Sequence, residues 1–185
     1  MLDVASKPPV NGIDLTALDE VVAAIREDAG AALVDFRVRT DWTGQTRSES
    51  TVESYTIGGK EVARRFRILA DEPEELLGTN QASNPQELLM SALNACMVVG
   101  YVAQAALRGI HLESCTIETD GQLDLRGFLG LHEGVPPGYR RIHYVVRLNG
   151  DGSREQYEDI HRTVMATSPN YFNMARPIEL SGRLI

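Results

Sequence analysis

The chain has 185 residues, 43% apolar and 24% charged, enough for one large domain with a sizeable core and against disorder. A net charge of −8 and an isoelectric point near 5.0 argue against nucleic acid or an anionic membrane as partner, because phosphate binding needs a cationic patch. The arginines of "ARRFRI" (Arg64, Arg65, Arg67) read as solvated strand charges, and "MLDVASKPPVNG" lacks the basic start and apolar run of a signal peptide, so a cytoplasmic chain is expected.

The first predicted element is a helix, "LTALDEVVAAIREDAG", capped by Asp14 or Thr16, with Leu18, Val21, Val22 and Ile25 at helical spacing and Gly30 marking its end. It is read as an N-terminal helical appendage over residues 1–30, ahead of a single domain over 31–185. "ALVDFRVRTDW", "STVESYTIGG" and "EVARRFRIL" alternate as half-buried strands do, with Gly44 and the Gly58-Gly59 pair as turns, which predicts a three-stranded antiparallel meander. "ADEPEELLGTNQAS" breaks the alternation and reads as a long loop.

A helix from Pro85 to Arg108 follows, with Asn84 or Ser83 offering a capping oxygen, Pro85 in the first turn and Gly109 as the stop. Leu88 to Leu107 carries no charge and approaches the length of a membrane span, but Ser91, Asn94, Gln104 and its many alanines favour a buried soluble helix. Such a helix needs cover on nearly every side, which one sheet cannot supply, so a second layer or a second subunit is expected. "LESCTIETDGQLDLRG" and "YRRIHYVVRLNG" read as strands on either side of the Gly- and Pro-rich "LGLHEGVPPG". Ser153 caps the amphipathic helix "REQYEDIHRTVMAT", Ser168-Pro169 opens a short helix, and "RPIELSGRLI" reads as a closing strand. The fold class expected from this order is α+β.

His111, His132, His143 and His161 lack metal-ligand spacing and read as surface or strand residues, and no nucleotide, dinucleotide or hydrolase motif occurs, so no metal or cofactor is expected. That leaves Cys96, in the middle of the apolar helix. It reads as a packing residue, as half of a disulfide with Cys115, or as a sheltered reactive thiol. It lies too deep in the helix for the N-terminal dipole to activate it, so a reactive Cys96 requires a cation from elsewhere.

"NPQELLMSALNAC", followed by an apolar helix ending at Gly109 and then by "GQLDLRG", resembles the OsmC/Ohr family of osmotically induced and organic-hydroperoxide-resistance proteins. "DEPEELLGTN" is similar to its longer-looped branch, and the resemblance runs from Phe36 to the C-terminus. It implies an OsmC-like fold: antiparallel sheets wrapped around a long central helix in an intertwined homodimer, with a thiol site at the interface. It further implies that Cys96 is the peroxidatic cysteine of a thiol-dependent organic hydroperoxide reductase. The thiolate-binding arginine falls on Arg67, with Arg47 as second choice. The family's glutamate position holds Gln86, and the resolving cysteine is replaced by Ser168, which can cap a helix or hydrogen-bond to sulfur. Glu87 lies about 180° around the helix from Cys96 and is a poor substitute for that glutamate. The partners implied are a second copy, an organic hydroperoxide and an external thiol reductant. The alternative is a non-catalytic dimer that binds a small apolar or thiol-reactive ligand.

Overall fold

The computed structural model describes residues 8–185, in two compact units, the first ending at Leu89 and the second beginning at Met90. The first unit starts with helix α1 (Leu15–Glu27), capped by Asp14, whose carboxylate accepts from the backbone N–H groups of Thr16 and Ala17 at 2.9 and 3.1 Å. The helix stops at Asp28, not at Gly30. Asp28 accepts from Gly30 N–H at 2.8 Å and so holds Ala29–Ala32 in a 3-10 turn, so the carboxylate, not glycine flexibility, ends α1.

Four strands follow: β1 (Val34–Phe36), β2 (Arg39–Gly44), β3 (Arg47–Ile57) and β4 (Lys60–Ala70). The expected first strand is thus broken in two around residues 37–38, and both halves pair antiparallel with β3, β1 against Tyr55–Ile57 and β2 against Arg47–Thr51. β4 pairs with β3, so the meander holds with an interrupted first member. Gly58 and Gly59 both take positive φ, +52° and +73°, as a two-residue type I′ turn between Ile57 and Lys60 requires. Polar side chains bond across the sheet, Ser54 to Glu61 and Thr56 to Asp35, whereas Phe36 stacks on Tyr55 and Arg64 lies over the rings of Tyr55 and Phe66. No apolar side chain of this unit is buried among the described residues, and Phe36 and Trp42 are 70% and 77% exposed.

The loop after β4 is organised by Asp71, which is 1% exposed. Its carboxylate accepts from Thr79 Oγ1, Thr46 Oγ1 and the backbone N–H groups of Glu72, Thr79 and Gln81. These bonds, led by the one from Thr79, hold its pKa far below the usual carboxylate range.

Helix α2 (Pro85–Leu107) opens with a reciprocal cap: Asn84 Oδ1 accepts from Glu87 N–H, and Glu87 accepts from Asn84 N–H, both at 2.9 Å. It closes with Gly109 at φ +68°, Ile110 N–H bonding to Ala105 C=O and Gly109 N–H to Ala106 C=O, which satisfies two orphan carbonyls. By length and composition α2 passes as a membrane span, but its residues Leu93, Met97, Tyr101 and Ala105, one turn apart, form the core of the second unit.

That core is completed by Ile110 and by Ile160 and Val164 of helix α4 (Arg154–Thr167). The ribbon of β5 (Leu112–Gly121) and β6 (Ile142–Gly150) packs against it through Cys115, Ile117, Tyr144, Val146 and Leu148, while the alternate residues are exposed. Gly100 allows α2 to approach α4 closely, since a Cβ there would meet Val164 Cγ1 at 3.2 Å. Two sequence expectations are corrected here. "LDLRG" is not strand: Asp124 caps a short helix, α3 (Leu125–Phe128), by accepting from Arg126 N–H at 3.0 Å. "RPIELSGRLI" forms no strand: beyond helix α5 (Pro169–Ala175) the backbone finds no ladder partner among the described residues.

Candidate active site around Cys96 and Ser168

Cys96 lies three turns into α2 and is partly buried; both it and Cys115 are free thiols. Facing it is Ser168, 5% exposed, at the junction of α4 and α5. Its N–H ends α4 by bonding to Val164 C=O at 2.8 Å, and its Oγ accepts from Tyr171 N–H at 3.4 Å to begin α5, with Pro169 at the first helical position. The same Oγ lies 3.4 Å from Cys96 Sγ. Because the oxygen already accepts from Tyr171, the hydroxyl proton is available to the sulfur. Asn170 Nδ2 donates to Ala92 C=O at 2.8 Å, pinning α5 one turn before Cys96. The helix Cys and the Ser-Pro pair, 72 residues apart, are thus brought together.

Beside this contact is a cavity of about 290 Å³, lined among others by Leu93, Tyr144, Tyr171, Met174, Arg140 and Arg141. Leu93 precedes Cys96 by one turn and Tyr171 follows Ser168 by three residues, although Cys96 is not itself among the walls. The wall is apolar and aromatic, with two arginines that sequence reasoning did not single out. Their only sequence signal was the "RR" before a strand.

The other expected site residues lie in the first unit. Arg67, on β4, is 74% exposed and paired with Glu49 at 3.3 Å. Arg47, at the start of β3, is partly buried, and its Nε is buried without a hydrogen-bond partner among the described residues. Gln86 occupies the second position of α2, partly buried, and Glu87 is committed to the helix cap. Cys115 faces the core opposite Leu148, and burial pushes its thiol pKa up.

His161 is not the ordinary surface residue expected. It sits half-buried on α4, its Nδ1 2.5 Å from the hydroxyl of Tyr101, and the two rings stack at 6.0 Å. Tyr101 is fully buried, and that burial raises its phenol pKa. Period-four spacing marks Tyr101 as a core residue, but nothing local signals the His161 whose Nδ1 shares a hydrogen bond with its hydroxyl, sixty residues away.

The OsmC-like protein family matches residues 78–181 of the chain, a span that contains both Cys96 and Ser168. No curated protein matches it in sequence. Among solved structures, the chain is similar to an OsmC-like protein from Mycoplasma pneumoniae, with a TM-score of 0.60 at 15% identity over 76% of this chain and 87% of that one. It is also similar to a protein from Psychrobacter arcticus 273-4 assigned to the osmotic stress induced and detoxification response, with a TM-score of 0.56 at 17% identity over 72% and 84%. A third is an OsmC-like protein of unknown function from Vibrio cholerae, with a TM-score of 0.50 at 14% identity over 74% and 91%. At such identities the likeness speaks to fold alone. With the family matched across more than half its length, and with a mixed α/β architecture built on a long apolar helix, the chain belongs to the OsmC-like protein family.

Proposed function

We propose that the chain is a cytosolic, homodimeric thiol peroxidase that reduces organic hydroperoxides through Cys96 and depends on an external thiol for turnover. The observation that carries this reading is the free Cys96 thiol 3.4 Å from Ser168 Oγ, where the peroxidases that the chain resembles place a second cysteine. In the first step the Cys96 thiolate attacks the terminal peroxide oxygen. The O–O bond breaks, an alcohol leaves with a proton, and Cys96 becomes a sulfenic acid. Ser168 cannot form a disulfide, so two external thiols complete the cycle: the first displaces water to give a mixed disulfide and the second releases Cys96 and a low-molecular-weight disulfide.

The cavity lined by Leu93, Tyr171 and Met174 suits an apolar organic group, which favours an organic hydroperoxide over hydrogen peroxide. Of the two arginines considered, Arg47 is the better candidate to hold the thiolate, being partly buried with a free Nε, whereas Arg67 is exposed and engaged by Glu49. Dimerisation is supported by the lack of buried apolar side chains among the described residues of the first unit and by Val99 of α2, which is 69% exposed. Two free cysteines suit a reducing cytosol.

The test is consumption of cumene hydroperoxide by the purified protein with a dithiol. Cys96→Ser abolishes it, and Arg47→Ala reduces it more than Arg67→Ala. An inactive protein whose Cys96 stays unmodified after stoichiometric hydroperoxide overturns the reading. The second reading, a non-catalytic dimer that holds a small apolar or thiol-reactive ligand, is favoured by the neutral Gln86 and Ser168 at both supporting positions. That outcome gives ligand capture without sulfenic acid.

A further inference from the structure

The cavity beside Cys96 and Ser168 shares a wall with a larger one. Arg140 and Arg141 line both the apolar cavity of about 290 Å³ and a second cavity of about 870 Å³, which Asp120, Asp124, Arg126 and His143 also border. The segment that carries the two arginines is packed in place. The Tyr139 ring lies against Gly121 at the end of β5, where a Cβ would meet its Cδ1 at 3.0 Å, and Pro136 C=O approaches Gly127 of α3 too closely for any side chain there. The larger space is thus bounded by close backbone contacts, and it falls within the roughly 300–1,000 Å³ of small-molecule sites.

The charges around it do not cancel. Asp124 is paired with Arg126 at 2.6 Å, and Asp120 lies 3.2 Å from His143 Nδ1. Arg140 donates to Gly134 C=O at 3.3 Å, and the Arg141 side chain has no acceptor among the described residues. Two arginines therefore remain whose charge no carboxylate offsets among the described residues, and carboxylates are the ligands that arginine holds best. The two cavities call for different molecules. The smaller, walled by Leu93, Tyr171 and Met174, suits the apolar group of a hydroperoxide, whereas an apolar chain laid in the larger would lie against charged groups. That leaves the larger cavity for a polar co-substrate. One is required, because Ser168 supplies no second sulfur and the reductant must itself reach Cys96.

We propose that Arg140 and Arg141 bind the carboxylates of an anionic, low-molecular-weight thiol that reduces Cys96, its body in the larger cavity and its sulfur extending along the smaller one once the product alcohol has left. The bound thiolate attacks the sulfenic sulfur of Cys96. An S–S bond forms as the S–O bond breaks, and the oxygen takes up a proton from solvent and leaves as water. A second molecule of the same thiol attacks the mixed disulfide as its thiolate, so two thiols are oxidised to one disulfide and the Cys96 thiolate is restored. This rests on the peroxidase reading above, and the experiment separates the two.

The probe is glutathione, a thiol with two carboxylates, set against neutral dithiothreitol. Consumption of cumene hydroperoxide by the full chain is measured with each, and binding of S-methylglutathione, which cannot react, is measured by calorimetry on the reduced chain. Arg140→Gln combined with Arg141→Gln is expected to lower the ratio of kcat/KM for glutathione to that for dithiothreitol by about tenfold or more, and to weaken S-methylglutathione binding by about the same factor. Arg140→Lys combined with Arg141→Lys should keep most of both, because the charge remains. A ratio and an affinity unmoved by the Gln substitutions, a loss that the Lys substitutions share in full, or an unsubstituted chain that binds no S-methylglutathione overturns the thiol site and leaves the peroxidase standing. Binding that depends on the arginines in a chain that consumes no peroxide overturns the peroxidase and the reducing step together, leaving an anion site alone.

Discussion

Ser168 Oγ and Cys96 Sγ stand 3.4 Å apart across the junction of two helices. A disulfide needs sulfur atoms about 2.05 Å apart with Cβ atoms about 3.8 Å apart, so a thiol at position 168 has only a small adjustment to make. Ser168→Cys is expected to give a chain that forms an internal disulfide with Cys96 on treatment with one equivalent of hydroperoxide. Non-reducing mass spectrometry reads it as loss of two hydrogens joining the two peptides. Persistent free thiols in that variant would mean that the two positions do not meet in solution.

Ser168→Ala separates the structural role of the hydroxyl from any chemical one. The substitution removes the cap of α5 and leaves Tyr171 N–H without its acceptor, at a cost of about 1 kcal/mol. A chain of this size should then melt roughly 2–4 °C lower. The first turnover with hydroperoxide is expected to survive, since it consumes only the Cys96 sulfur. Stopped-flow measurement of sulfenic acid formation checks this.

The buried Tyr101 phenol makes the fold sensitive to alkali. An unfolded tyrosine ionises near 10.0, whereas burial, with smaller contributions from Tyr144 and Cys115, keeps the Tyr101 phenol protonated well above that. The Tyr101 contribution is complete below pH 10 and is lost as pH rises from there, because the unfolded chain releases a proton that the native chain retains. Tyr101→Phe should flatten that alkaline decline and cost about 1 kcal/mol at neutral pH, by leaving His161 Nδ1 without its partner. Denaturant unfolding of both chains from pH 7 to 11 provides the comparison.

Asp71 acts in the opposite direction on the pH scale. Its depressed pKa means that its contribution is present above the ordinary value of 3.8 and is lost as pH falls below it. Asp71→Asn keeps one acceptor oxygen for donors that now share two, so the loop over residues 72–83 should loosen. Limited proteolysis is expected to cut that loop several-fold faster in the variant, while α2 and the second unit keep their protection.

Gly100→Leu tests how closely α2 and α4 must approach. A side chain at that position meets Val164, whose Cγ1 lies 3.2 Å from where the Cβ would sit, and overpacking of this kind costs about 1–3 kcal/mol. Gly100→Ala needs only a shift of a few tenths of an ångström and should fold. Thermal melts of the two variants distinguish a tight helix contact from a loose one.

Much of the architecture was legible in the residues because it rests on local physics. Asn84 with Pro85, and Gly109 after Arg108, mark both ends of α2, since orphan N–H and C=O groups need those residue types nearby. Ser153 announces α4, and the Gly58-Gly59 pair announces its turn, because only glycine accepts two consecutive positive φ angles without strain. Cys96 was also visible, as a thiol in an uncharged helix with a Ser-Pro pair 72 residues later.

What sequence could not decide was anything carried by contacts between distant segments. Two local caps were also misjudged: α1 ends at Asp28 because its carboxylate accepts from Gly30 N–H two residues on, and "LDLRG" is helix because Asp124 accepts from Arg126 N–H two residues on. "RPIELSGRLI" alternates as a strand does and is none here, because a strand requires a neighbour's backbone and none among the described residues pairs with it. Tyr101 found His161, and Asp71 gathered its five hydrogen bonds, only after the chain had folded around them. Local propensity is a property of a few consecutive residues and can be read from them. A pairing across sixty or seventy residues depends on the whole path of the backbone between.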